Sequence, residues 1–353
     1  MSKRRRQGEE GQQANCRDCI INKHKSLYLV LDDWDTGFTI RKLDADSPDL
    51  SAPPVLRLQS PMRHHSMDFA ALGSKIIAMS NQFAATLVFD TETASLAIGN
   101  PLPESLHNAL NFFVTASDDV LIAFAYYFML RPVSFEVMTT TKDDFRSLCP
   151  STDWSWKSMP TPPFTKRETI KSYALHPDGH TLFVSVSSSR VSGTFSLDTN
   201  THEWSHLGEW MLPFQLQGYF DAELDAWVGL HADGFICSCQ VPSLSSSSNI
   251  QQPNWKMAKE HKMWSPRHQV AKAQGATLTY MGNSRFFLVD CEIADGLELQ
   301  DAFDGDSDGC ALHMTTFRLK YNHEGKLRII DRNTTSCPAS RQLPSFSPVA
   351  FWM

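Results

Sequence analysis

Two stretches of this chain copy one another: Leu87-Val88-Phe89-Asp90-Thr91-Glu92-Thr93-Ala94-Ser95-Leu96 and Phe195-Ser196-Leu197-Asp198-Thr199-Asn200-Thr201-His202-Glu203-Trp204. Each runs an apolar strand into Asp-Thr-x-Thr and sets a large apolar residue six positions after the Asp. A recurring strand-turn-strand unit cannot bury its apolar face alone, so neighbouring copies must stack on one another. The repeat therefore predicts an all-β chain built as a β-propeller.

The unit can be traced along most of the chain. One copy runs from Met67 to Pro103, a second from Leu110 to Pro160 and a third from Ser172 to Pro213; a fourth starts at Gly218 and a fifth at Ala276. Turn signals punctuate them at Gly73-Ser74-Lys75, Ser117-Asp118-Asp119, His176-Pro177-Asp178-Gly179, His231-Ala232-Asp233-Gly234 and Gly282-Asn283-Ser284. Their first strands read as Met67–Leu72, Asn111–Val114, Tyr173–Leu175 and Gly218–Phe220, mostly apolar or small, and are expected to line the ring axis. The exits at Pro103, Pro160 and Pro213 recur about every 55 residues, near the ~50 of a kelch-type blade. Proline suits an exit because it cannot donate to a strand ladder. Both termini hold leftover strands, Tyr28 to Ile40 and Leu343 to Trp352. An unclosed ring would expose sheet edges. Six blades are expected, the last shared between N- and C-terminal strands. Seven is the competitor, because segments 125–165 and 290–345 have room for further strands.

Residues 1–23 are polar and are expected to form a disordered arm, with residues 24–353 as a single propeller domain. The arm carries Lys3-Arg4-Arg5-Arg6, a short basic run whose plainer reading is a solvated tail, with a nuclear import signal as the alternative. The net charge of −7 lacks the basic footprint of a nucleic-acid binder. No apolar run reaches the ~18 residues of a membrane span, and no apolar segment follows the basic start as in a secretory signal. The expectation is an intracellular, cytoplasmic or nuclear chain and a monomeric propeller. The eight cysteines follow no framework spacing and read as free thiols.

An apolar strand ending in Asp-x-x-Thr and followed by tryptophan resembles the kelch repeat; Asp90, Thr93, Asp198, Thr201 and Trp204 stand at those places. Ile77-Ala78-Met79-Ser80 lacks the paired glycines of that pattern. The whole chain is more closely similar to a family of grass proteins catalogued as domain of unknown function 1668. That likeness rests on Met1-Ser2-Lys3-Arg4-Arg5-Arg6, Tyr28-Leu29-Val30-Leu31-Asp32-Asp33-Trp34 and Phe89-Asp90-Thr91-Glu92-Thr93. It implies a kelch-like propeller with no established activity. The chain also resembles the propeller halves of plant F-box proteins, but no F-box is expected to fit ahead of the first strand.

Asp304-Gly305-Asp306-Ser307-Asp308-Gly309 matches the first half of a calcium loop, in which Asp304, Asp306 and Asp308 would supply oxygens. Thr315 stands where the bidentate Glu belongs, so a solvated loop is the plainer expectation. Cys16 and Cys19 offer two of the four ligands that a closed zinc site needs. Cys237 and Cys239 are read as pointing to opposite faces of a strand. The two His-x-x-Gly turns are structural turns. Asp90 and Asp198 are expected to accept backbone N–H groups in Asx-turns, with Trp204 and its counterpart Leu96 packed between blades. No nucleophile elbow or phosphate loop is present, and neither a cofactor nor a metal is expected.

The expected function is a non-enzymatic protein-interaction module in plant signalling or defence, with another protein as partner. Its recognition loops would be Tyr126 to Asp153, Ser243 to His268 and Glu292 to Asp308. The alternative is a small-ligand-binding or enzymatic propeller that uses the central channel.

Overall fold

The structure, a computed structural model, describes residues 25–62, 65–80, 82, 86–126, 133–140, 154–165, 167–189, 192–244, 251–265, 276–294, 296–303 and 309–353. Short runs of β-branched and aromatic residues, cut by Asp, Gly and Pro turns, leave strands as the way to satisfy the backbone. The first are β1 (Leu27–Trp34), β2 (Gly37–Leu43) and β3 (Leu56–Gln59). Next come β4 (Asp68–Leu72), β5 (Lys75–Met79), β6 (Thr86–Asp90) and β7 (Ser95–Gly99), then β8 (Leu110–Ser117), β9 (Val120–Tyr126), β10 (Ser134–Thr140) and β11 (Trp154–Ser158). The chain continues with β12 (Thr169–Leu175), β13 (Thr181–Ser187), β14 (Ser192–Asp198) and β15 (Glu203–Gly208), and with β16 (Gln215–Asp221), β17 (Ala226–Leu230), β18 (Ile236–Gln240) and β19 (Trp255–Met257). It ends with β20 (Ala276–Gly282), β21 (Arg285–Ile293), β22 (Cys310–Tyr321), β23 (Leu327–Ala339) and β24 (Val349–Trp352).

Strands β4–β7, β8–β11 and β20–β23 are each antiparallel four-stranded meanders. The N-terminal sheet has the order β24-β1-β2-β3, with Leu27 opposite Trp352 and Val30 opposite Val349. The remaining sheet has eight strands: the meanders β12–β15 and β16–β19 are joined along β12 and β16, which run parallel with Tyr173 opposite Gln217.

Both faces of most strands are apolar because each meander is covered on both sides. In β1, Leu27, Leu29 and Leu31 pack toward Phe287, Val289 and Met314 of β21 and β22, while Tyr28 and Val30 pack toward Phe69 and Ile76 of β4 and β5. Further apolar clusters join β4–β7 to β8–β11, β8–β11 to β12–β15, β12–β15 to β16–β19, and β16–β19 to β20–β23. Four-stranded meanders packed face to face in succession are the architecture of a propeller-like all-β fold.

Segment 126–153, expected as a loop, contains β10. Phe135 and Val137 point into the cluster shared with β12–β15, and Met138 points into the one shared with β4–β7. This alternation on both faces marks a two-sided strand. In the 290–345 segment, β22 and β23 are the long pair of the last meander.

One core carboxyl is poorly placed. Asp290 on β21 is 4% exposed, and burial pushes its pKa up to about 6, against a hydrogen bond from the Ser265 N–H at 3.4 Å. The folded state therefore holds the proton more tightly than the unfolded chain. This favours the fold below the unfolded value near 4 and loses that contribution as pH rises through about 6. Asp290→Asn is expected to stabilise the protein at pH 7 by on the order of 2 kcal/mol and to change little at pH 4. Urea unfolding at the two pH values checks this, and an equal effect at both would exclude it.

Candidate functional site in the axial cavity

The first strand of each meander ends up at one edge of its sheet. Residues of β4, β8, β12, β16, β20 and β24 border a single cavity of about 880 Å³. The stretches Met67–Leu72, Asn111–Val114, Tyr173–Leu175 and Gly218–Phe220 fall on these strands, apart from Met67, which precedes β4.

Neighbouring inner strands are stitched by side chains. Thr115 donates to the Ala71 carbonyl at 2.6 Å and Asn111 Nδ2 to Asp68 at 3.0 Å, which ties β8 to β4. Thr277 and Thr279 donate to the carbonyls of Pro348 and Ala350 at 2.5 and 3.0 Å, which ties β20 to β24. Strands that run along a common axis leave ladder groups without a strand partner, and these short polar side chains supply one.

Other polar atoms of the wall have no partner. Asn111 Oδ1, Gln215 Oε1 and Ser347 Oγ are buried without a hydrogen bond, and all three residues border the cavity. Asn111 is only 3% exposed. Phe112, Tyr173, Tyr219 and Tyr280 add aromatic surface. Burial pushes the phenols of Tyr173 and Tyr219 well above their usual value, and burial together with Asp221 pushes Tyr280 up to about 12. These phenols stay protonated near neutral pH and serve as donors, not bases. Of the lining charges, Asp68 is buried against Asn111, while Lys25, Lys42, Glu92 and Asp118 are exposed. The wall is thus aromatic and largely neutral, with unpaired acceptors, and is suited to binding groups that carry both donors and acceptors.

Asp90, Thr93, Asp198, Thr201 and Trp204 are not part of the cavity lining, although Thr91 and Glu92 of the first repeat are. Asp90 accepts the N–H groups of Glu92 and Thr93 at 2.9 and 3.3 Å between β6 and β7, and Asp198 accepts those of Asn200 and Thr201 at 2.8 and 3.2 Å between β14 and β15. Four residues after each Asp the backbone turns left-handed, at Ala94 (φ 54°) and His202 (φ 60°). Trp204 packs on Phe135 and Phe164 and donates its indole N–H to the Pro160 carbonyl at 2.9 Å.

Its counterpart Leu96 is not packed between blades. It is 50% exposed, because a leucine on the outer strand is too short to reach across as the indole does. Cys237 and Cys239 do not point to opposite faces either. Residues two apart on a strand share a face, and both thiols lie in one apolar cluster, where burial pushes their pKa up. The His176 and His231 turns each close with an N–H from the glycine three residues on, at 3.0 and 2.9 Å.

Lys3, Arg4, Arg5, Arg6, Asp304, Asp306, Asp308, Cys16 and Cys19 lie outside the described residues. Among the described residues no three His, Cys, Asp or Glu side chains are grouped to hold a metal ion, and no helix is long and apolar enough to cross a membrane. Sequence reasoning did not single out Asn111, Gln215 or Ser347. The available signal was a polar residue on, or just before, an otherwise apolar inner strand.

The model of a family described as "Protein of unknown function (DUF1668)" matches residues 24–337. No curated protein matches the chain. Among solved structures, TolB from Acinetobacter baumannii is 11% identical with a TM-score of 0.46, over 92% of this chain and 66% of that one. The Cps50 (Swd1) β-propeller domain from Myceliophteria thermophila is 9% identical with a TM-score of 0.43, over 84% and 81%. A luciferin-regenerating enzyme is 8% identical with a TM-score of 0.41, over 77% and 76%.

Proposed function

The chain belongs to the DUF1668 family, and we propose that it is a non-enzymatic protein-interaction scaffold that holds a segment of a partner protein at its axial cavity. We take the ring to have six four-stranded blades, with the eight-stranded sheet counting as two. The pairing of β24 with β1 supports closure by a blade shared between the termini. The reading sets the chain inside the cell, where buried thiols such as Cys237 and Cys239 stay reduced.

The carrying observation is the set of unpartnered atoms Asn111 Oδ1, Gln215 Oε1 and Ser347 Oγ beside protonated phenols. A buried polar group without a partner costs roughly 1–3 kcal/mol. A peptide brings N–H donors for the amide and hydroxyl oxygens, carbonyls for the phenols and side chains for the aromatic wall. The cavity volume of about 880 Å³ also falls in the range of small-ligand sites, roughly 300–1,000 Å³. This favours a neutral, polyfunctional small ligand as the second reading.

Affinity capture with the full chain, beside a Gln215→Leu, Tyr219→Phe, Ser347→Ala variant, separates the two. A partner whose recovery falls about tenfold or more with the variant, the equivalent of ~1.4 kcal/mol, supports the interaction scaffold. A partner held equally by both chains would remove the cavity from the interaction. A metabolite that raises the melting temperature of the wild type alone would establish the small-ligand reading in its place.

A further inference from the structure

Cys291 and Cys310 flank the loop that joins β21 to β22. The register pairs Cys291 with Leu312 and Cys310 with Ile293, so the two thiols are diagonal neighbours on one face of the sheet. The Cys310 thiol lies 3.6 Å from the Ala302 carbonyl and beside Cys291, and its single S–H donates to one of them at a time. Arg341 approaches from the other side, with Nη1 3.1 Å from Cys291 Sγ.

That guanidinium is fixed in place. Nε is paired with Asp32, Nη2 donates to the Phe346 carbonyl at 2.8 Å, and the Phe303 ring lies 5.5 Å away. The Asp32 carboxylate works against a nearby thiolate, but it also accepts the N–H groups of Gln342 and Leu343 at 3.2 and 2.6 Å. The hydrogen bond from Cys310, followed by the Arg341 charge, holds the Cys291 thiol below its usual range. The same hydrogen bond and burial raise Cys310. By solvent exposure Cys291 is half-buried and Cys310 is buried, so the first is the more open to a reagent.

We propose that Cys291 is a peroxide-reactive thiol and Cys310 its resolving partner. The Cys291 thiolate attacks one oxygen of hydrogen peroxide. The O–O bond breaks, an S–O bond forms and hydroxide leaves; the sulfur is oxidised by two electrons and the peroxide is reduced. The Cys310 sulfur then attacks the sulfenic sulfur. An S–S bond forms, the S–O bond breaks, and the departing hydroxide leaves as water with the Cys310 proton. Diagonal Cβ atoms stand farther apart than opposed ones, so closure needs a shift of the Ile293–Cys310 rung. That rung ends the β21–β22 register, and the shift has to carry with it the Cys310–Ala339 pairing to β23 and the Ala294 N–H bond to the Gly309 carbonyl at 2.9 Å. The disulfide fastens the neck of the 294–309 loop.

Peptide mapping of the full-length chain tests this, with Cys337, also half-buried and raised by burial, as internal control. At pH 7 iodoacetamide is expected to label Cys291 roughly tenfold faster than Cys337, in line with the difference in thiolate fraction. Peroxide is expected to yield a Cys291–Cys310 disulfide in the wild type, a dimedone-trapped sulfenic acid at Cys291 in Cys310→Ser, and unmodified Cys310 in Cys291→Ser. Labelling of Cys291 no faster than Cys337, or both thiols recovered free after peroxide, would overturn the proposal. A sulfenic acid that persists at Cys291 in the wild type would remove Cys310 from its resolving role.

Discussion

Arg341→Ala is expected to destabilise the protein by about 3–5 kcal/mol, the cost of breaking a buried ion pair from one side. Arg341 is 1% exposed and Asp32 is fully buried. The contact links three separate parts of the chain: Asp32 on β1, Cys291 on β21, and the segment that carries Arg341, Leu343 and Phe346 into β24. Removing the cation leaves the Asp32 carboxylate with only backbone N–H partners at the place where β24 joins β1. Asp32→Ala is expected to cost as much, because it strands the guanidinium. The double variant Asp32→Leu, Arg341→Met is expected to recover much of the loss, since a well-packed apolar replacement of a buried pair is often neutral. Urea unfolding of the wild type, the two alanine variants and the Asp32→Ala, Arg341→Ala double forms a double-mutant cycle, with the Leu/Met variant measured beside it. Strictly additive losses would show that the pair is not coupled.

Trp227→Ala should cost about 3–5 kcal/mol as a large-to-small change in a packed core. Trp227 on β17 is fully buried, its ring meets Phe183 edge-on at 5.0 Å, and its indole N–H donates to the Leu175 carbonyl at 2.7 Å. It thereby joins the meanders β12–β15 and β16–β19 on the face next to the parallel β12–β16 pair. The packing there is close: the Phe214 ring lies against Gly218 and Gly229, where a Cβ would meet it. Trp227→Phe keeps an aromatic ring and gives up the N–H, so a smaller loss of roughly 1–2 kcal/mol is expected. Equilibrium denaturation ranks the variants, and hydrogen exchange locates the weakening at the β12 and β16 amides. A loss under about 1 kcal/mol for the alanine variant would mean that the interface collapses to fill the space.

The all-β class and the repeat were legible in the chain because their causes are local. An Asp that caps its own turn, the period of two in a strand and a proline that ends a ladder act within a few residues. The β-sheet architecture agrees with the all-β part of that reading. Legibility failed where a partner from another meander decides. Leu96 and Trp204 occupy the same place in the repeat, yet one is exposed and the other covers Phe135 and Phe164. The β10 segment reads as loop or hidden strand from the sequence, and only its pairing with β9 and β11 decides for a strand.

The sequence by itself determined the β class, the recurrence of the unit and the strands that start each copy. Only the tertiary structure decided which polar atoms of those strands face a common cavity and remain unpaired. Only it brought Asp32 within reach of Arg341, 309 positions away, with Cys291 beside them. The physical reason is range: turn chemistry and strand alternation are set by nearest neighbours along the chain. Burial, pairing and the state of a thiol depend on what the packed sheets place around it.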